Sequence, residues 1–241
     1  MEVGRGQSLG LHAKYIIFVH PINPGVTMDW IDLERHFSSA RLGRYRVACD
    51  GDEIRAAKAY TSNMLLAEAI MPALGVLEIA LKNAVHRRLS MTYQRDDWWE
   101  HWIGDPMFTW QRREVEGAAL KLHRRMEADI PDKLVAELTF GFWTSLFNVQ
   151  FQEVLWKELR LVFPRCPKQQ RKRHTVSASL NQIRHLRNRV FHHEQLLWLA
   201  PSLSDLHARA IEVIGWLDPQ LPQWLAPIDR LPATWAVVHP V

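Results

Sequence analysis

The chain is short of cysteine, of clustered glycine and of long uninterrupted apolar runs, and each shortage argues against a class of protein. Two cysteines, Cys49 and Cys166, occur in 241 residues, in unrelated contexts and with no CxxC pair. That speaks against a secreted disulfide framework and a cysteine metal site, and makes a reducing cytoplasm the expected compartment. The longest apolar stretch, Met64 to Leu81, is broken by Glu68, Pro72 and Glu78. Two acids and a proline predict a buried helix there and no membrane role. The run Tyr15–Val19, cut off by His20 and Pro21, is too short and too polar for a signal peptide. The 11 glycines and 13 prolines are dispersed, which excludes collagen-like and low-complexity architecture. No internal repeat and no Gly-rich phosphate loop occur, and few segments read as strands.

What is present suits one folded domain. Hydrophobic residues make up 47% and charged residues 23%, and this length supports a sizeable core. A net charge of +4 permits a polyanionic partner without requiring one. The 11 tryptophans suit large wedges in a helical core. Residues 1–27 begin Gly-rich, lack helical periodicity and end in the turn-like Pro21-Ile22-Asn23-Pro24-Gly25. They are expected to form a poorly structured extension, with Met28 as a candidate natural start. Residues 28–217 form the expected helical domain, and the Pro-rich 218–241 is expected to pack on it as irregular structure.

From Asp29 the sequence reads as helices joined by short polar breaks. Trp30, Leu33, Phe37 and Leu42 share a rough face over about four turns. Asp50-Gly51-Asp52 marks a turn and a helix start. Leu66, Ile70, Leu74, Leu77, Leu81, Val85 and Leu89 recur in steps of three or four, the strongest amphipathic signal, with Pro72 and Gly75 predicting a kink. Residues 111–128 suggest a charged, solvated helix, Arg112 and Glu116 lying one turn apart. Further helices are predicted from Ile130-Pro131-Asp132, over Phe151–Phe163, from about Ser177 to Leu199, where Pro201 ends it, and over Leu203–Trp216. The fold class is all-α.

The predicted helix 177–199 carries the richest polar constellation. On a wheel of about 100° per residue, Leu180, Ile183, Leu186, Val190, Phe191, Leu197 and Trp198 form one apolar face, and Arg187 and Glu194 sit inside it. An arginine there needs an anionic or hydrogen-bonding partner, because leaving it unpaired is costly. Either Glu194 or Glu78 supplies a structural ion pair, or Arg187 is aimed at phosphate in a cleft or interface. Wheel geometry alone favours the ion pair. Asn188 and His192, four residues apart, share the polar face with His185. Asn188 can orient the imidazole, and a histidine moves protons near neutrality. Arg187 stands roughly 140° around the helix from His192, so meeting at one phosphate needs a long reach, a distorted helix or a second copy across a two-fold axis. With 22 arginines and 12 histidines in 241 residues, chance supplies about one Arg-x4-His pair (22 × 12/241). Asparagine directly after the arginine, in a basic helix behind a basic loop, makes the pattern far more selective.

The loop 165–174 holds five Lys/Arg and no acid; Lys168, Arg171, Lys172 and Arg173 could guide RNA, and a solvated loop is an equally good account. Arg184, Arg189 and His193 are further RNA-binding candidates on the site helix. No carboxylate or cysteine completes a ligand set around His185, His192 and His193, so no metal is expected. Trp98, Trp99 and Trp102 could stack bases, but packing into a core or interface is the better reading. Glu78 and Lys82 form a good local ion pair, although Glu78 could equally hold Arg187.

The segment Leu186-Arg187-Asn188-Arg189-Val190-Phe191-His192-His193-Glu194 resembles the R-N-x-x-x-H motif of HEPN ribonucleases, and its wider form, R-N-R-x-x-H-H-E, resembles the Abi-like (abortive-infection, AbiD/AbiF-type) branch. Glu137-Leu138-Thr139-Phe140-Gly141-Phe142-Trp143 is similar to that branch's L-S/T-F-G-x-W segment. Leu77-Glu78-Ile79-Ala80-Leu81-Lys82-Asn83-Ala84 resembles its E-x-x-L-R-N helix, with Lys82 where arginine is usual, and Trp30 through Tyr60 matches its opening helices. The resemblance spans about 28–215. It implies a HEPN-type helical bundle with additional helices, a two-fold dimer with a composite site, and metal-independent RNA cleavage in defence against phage, with no cofactor. It assigns catalysis to Arg187 and His192 with Asn188 assisting, and supporting places to Glu78, Lys82, Asn83 and Glu194. A small-RNA or protein antitoxin partner is the matching expectation for such a toxin-type protein. The competing class is a non-catalytic RNA-binding or toxin-like interaction protein whose motif helix serves dimerisation.

Overall fold

The computed structural model describes residues 28–238; the expectations for 1–27 lie outside them. Among the described residues are eleven α-helices and no strand, so the fold is all-α. In order they are α1 Trp30–Phe37, α2 Ser39–Ala48, α3 Glu53–Tyr93, α4 Thr109–Arg124, α5 Pro131–Glu137, α6 Phe140–Ser145, α7 Gln152–Leu159, α8 Arg173–Phe191, α9 Leu203–Leu217, α10 Gln220–Leu225 and α11 Leu231–Val238. Short 3₁₀ turns link several of them.

The spine is α3, 41 residues long. Asp52 caps its start, its carboxylate accepting from Arg55 N at 3.0 Å, and Gln94 ends it in the left-handed region. The helix runs without a break through Pro72, past the predicted kink site. An interior proline costs about 3 kcal/mol. Against it stand Leu66, Ile70, Leu77, Leu81, Val85 and Leu89, all fully buried and each contributing about 1.5–3 kcal/mol. The row outweighs the proline severalfold. By length and composition α3 could cross a membrane; here those side chains form the centre of the core, against α2, α7, α9 and α11.

The rough face from Trp30 to Leu42 belongs to two helices, not one. Ser38 adopts a positive φ of 68° and its hydroxyl caps α2. Over its described residues, 218–238, the Pro-rich tail is likewise not irregular: α10 and α11 pack on α3 and α9. Arg230 bonds Glu68 at 2.8 Å, and His207 meets Asp229 at 2.8 Å in a nearly buried pair. Both cysteines are unpaired and buried.

Trp98, Trp99 and Trp102 are buried and pack with the aromatics of α6. Trp98 and Trp102 meet edge-to-face at 4.9 Å, Trp102 stacks on Phe108 at 4.2 Å, and Trp98 also meets Trp143. A buried indole N–H needs an acceptor, and His86 Nδ1 supplies it to Trp98 Nε1 at 3.0 Å. Burial holds the His86 imidazole below its usual pKa of 6.5. The unfolded chain therefore binds the proton more readily, and stability is lost as pH falls through about 6.5 and on through the lower folded value. Urea denaturation between pH 7.5 and 5 is expected to show this loss, and His86→Gln, which keeps an acceptor and does not titrate, to flatten it. An unchanged slope in the variant would remove His86 as its source.

Candidate functional site

The motif segment straddles the end of α8, and that end lies eight residues earlier than the periodicity predicts. Leu197 and Trp198 continue the apolar phase in sequence, but the helix stops at Phe191 with His192 as its C-cap. His193 takes a positive φ of 53°. Its N–H bonds Val190 O at 3.1 Å, and Glu194 N bonds Arg189 O at 2.8 Å. Those two bonds define a Schellman closure with histidine where glycine is usual.

Two side chains from distant elements pin the segment that follows. Asn63 of α3, 1% exposed, donates to Glu194 O at 3.1 Å and accepts from Leu196 N at 2.6 Å. Arg41 of α2 donates to His193 O at 2.7 Å and to His192 O at 3.4 Å. Neither residue was singled out by sequence reasoning. Asn63 carries a signal that could have found it, being an amide on the apolar face of α3, open to the same question as Arg187. Arg41 shows no comparable local mark.

The result is a cleft of about 270 Å³ between α2 and the 192–195 turn, lined by Arg41, Arg44, Tyr45, His192, His193 and Glu194 among others. His192 is exposed there. Burial, and then the nearby Tyr60, push the Tyr45 hydroxyl up to about 12, so it stays protonated; among the described residues it has no hydrogen-bond partner.

Arg187 does not line this cleft. Its Nε donates to Glu78 Oε2 at 3.3 Å, with both side chains about a quarter exposed, and its guanidinium lies 4.1 Å from the centre of the Phe191 ring. Of the two structural partners available to it, Glu78 is the one used. Glu194 instead pairs with Arg189 at 3.4 Å, and no ion pair joins Glu78 to Lys82 among the described residues. Asn188 and His192 meet through backbone, His192 N donating to Asn188 O at 2.9 Å, not through their side chains. Lys82, Asn83 and Asn188 are half-buried.

The remaining cations separate. Arg184 is held by Asn181 Oδ1 at 3.2 Å and faces His185, in a second cleft distinct from that of His192. Lys168 and Lys172 are exposed and Arg171 is half-buried in the loop before α8. Arg173 opens α8 with a structural task, bonding Gln152 Oε1 at 2.9 Å and Phe147 O at 3.1 Å. Among the described residues no three His, Cys, Asp or Glu side chains are grouped to hold a metal ion. Compared with protein-family models, curated proteins and solved structures, the chain matches none.

Two measurements check this geometry. Asn63→Ala leaves a buried N–H and a carbonyl unpaired and should cost about 1–3 kcal/mol in urea denaturation, with new protease sensitivity around 192–196; a cost within error would mean the clamp contributes nothing. A double-mutant cycle of Glu78→Ala and Arg187→Ala should give a coupling on the order of 1 kcal/mol, whereas additive losses would show the pair to be incidental.

Proposed function

We propose that the chain is a metal-independent endoribonuclease of the HEPN type, acting in the cytoplasm as an abortive-infection or toxin-type defence protein. The observation that carries the reading is the placement of His192. It sits at the end of α8, open to solvent, in a cleft whose opposite wall brings Arg41 and Arg44, with Arg187 one turn and a half back on the same helix. Motif order along the chain, as in the Abi-like branch, supports it further.

RNA carries its own nucleophile. His192 takes the proton from a 2′-OH, the 2′-oxygen bonds to phosphorus, and the bond from phosphorus to the 5′-oxygen breaks. A cationic guanidinium neutralises the extra charge on the phosphoryl oxygens. Arg187 lies against Glu78 and outside the His192 cleft in one chain, so the composite site of a two-fold dimer is the arrangement in which Arg187 meets phosphate. There the second His192 protonates the leaving 5′-oxygen, and the products are a 2′,3′-cyclic phosphate and a 5′-OH.

The Arg187–Glu78 contact favours a second reading, in which α8 serves only dimerisation in a non-catalytic RNA-binding or toxin-like interaction protein. Purified protein should cut RNA in EDTA, leave DNA intact and yield the cyclic ends. Arg187→Ala and His192→Ala, folded by circular dichroism, should each lose roughly a hundredfold or more of that activity. A strict need for Mg²⁺ would sink the mechanism, and equal RNA binding with no cleavage by all three proteins would favour the second reading.

A further inference from the structure

About two to three turns back along the site helix from His192, α8 also borders a larger cleft of about 430 Å³, walled by α4, α6 and the 148–150 turn. The two clefts share no residue. Its volume falls in the range of about 300–1,000 Å³ usual for small-molecule sites, and its chemistry is selective. No acid lines it. Amides and hydroxyls dominate, with one cation, Arg184, and one indole, Trp110.

Three features distinguish it from a chance hollow. Gln111 is 2% exposed, yet its Oε1 has no donor. Its amide nitrogen is committed to Ser145 Oγ at 3.2 Å, and that hydroxyl donates to Phe142 O at 2.7 Å, so Ser145 has no proton left to give Gln111. That oxygen is closed to solvent, so the Gln111 amide must turn toward the cleft for a donor there to reach it, and left without one a buried amide oxygen costs free energy. Trp110 backs onto Phe142 in a near-parallel stack at 6.5 Å and remains 46% exposed, whereas Trp98, Trp99 and Trp102 are buried. Arg184 is braced by Asn181 through Nε and faces His185 through Nη2, leaving Nη1 uncommitted.

We infer that this cleft binds one nucleotide, with the base flat on Trp110, its edge facing Gln111 and Asn148, and its phosphate on Arg184. A planar polar heterocycle with one attached anion is what an indole face, a wall of amides and hydroxyls and a braced guanidinium together select. The nucleotide is either free or one residue of a single strand; the chemistry is the same. This site does not depend on the nuclease reading, since His192 and Arg187 take no part in it.

The test uses the full chain carrying His192→Ala, so that RNA stays intact. AMP, GMP, CMP and UMP are titrated by calorimetry beside inorganic phosphate, and a short single-stranded RNA containing 2-aminopurine is titrated by fluorescence. Nucleotides or the RNA should bind, with stacking quenching the 2-aminopurine. Trp110→Ala and Arg184→Gln should each weaken binding on the order of tenfold, and Trp110→Phe, which keeps a ring, should largely restore it. Binding of free nucleotides identifies a mononucleotide site, and binding of the RNA alone identifies a base of a strand. No binding of either kind, affinity unchanged in both weakened variants, or inorganic phosphate binding as well as the nucleotides would overturn the proposal.

Discussion

Everything in this fold leans on the burial of one long helix. Its apolar row, from Leu66 to Leu89, is covered on different sides by α2, α7, α9 and α11. The hydrophobic gain along the row is large enough to carry an interior proline. A continuous α3 also holds Asn63 and Glu78 at fixed heights on one rigid rod. Asn63 grips the chain beyond α8, and Glu78 grips Arg187 within it. Two turns of the candidate site are thereby referenced to the core and not merely to each other.

The end of α8 shows how polar satisfaction, and not hydrophobic phase, decides where a helix stops. Leu197 is buried, as its phase suggests, but it reaches the core from a turn, and Leu196, on the polar side of the wheel, is buried with it. The Schellman closure satisfies the terminal carbonyls, Arg41 takes those of His192 and His193, and Asn63 takes Glu194 O. The left-handed His193 carries a conformational cost of about 1–2 kcal/mol, offset by these bonds.

Periodicity in steps of three and four sufficed for the fold class and for the buried seam of α3, because the helical repeat is written locally in the chain, and aromatic bulk sufficed for the core role of the Trp98 cluster. The site was only partly readable. Arg187 on an apolar face correctly signalled a carboxylate partner, with Glu78 as one of two choices. The choice itself depended on where α8 ends, and no glycine marks that place. With the helix stopping at Phe191, Glu194 leaves the wheel and pairs with Arg189 instead. Arg41 and Asn63 act across more than 130 residues of chain, a distance at which no local pattern speaks. The helical tail was obscured by its prolines, which sit at turns and first-turn positions and interrupt little.

The contact between Arg187 and Glu78 turns anion binding at this guanidinium into a substitution reaction. In the proposed nuclease a phosphate arriving at Arg187 Nε would displace a carboxylate already in place, so its net gain there would be the difference between two ion pairs and not the whole of one. The displaced Glu78 then becomes an unpaired acid a quarter exposed, with Lys82 one helical turn along as the nearest cation in sequence to receive it. The resting chain is in this sense self-competing, its own carboxylate acting as the ligand to beat.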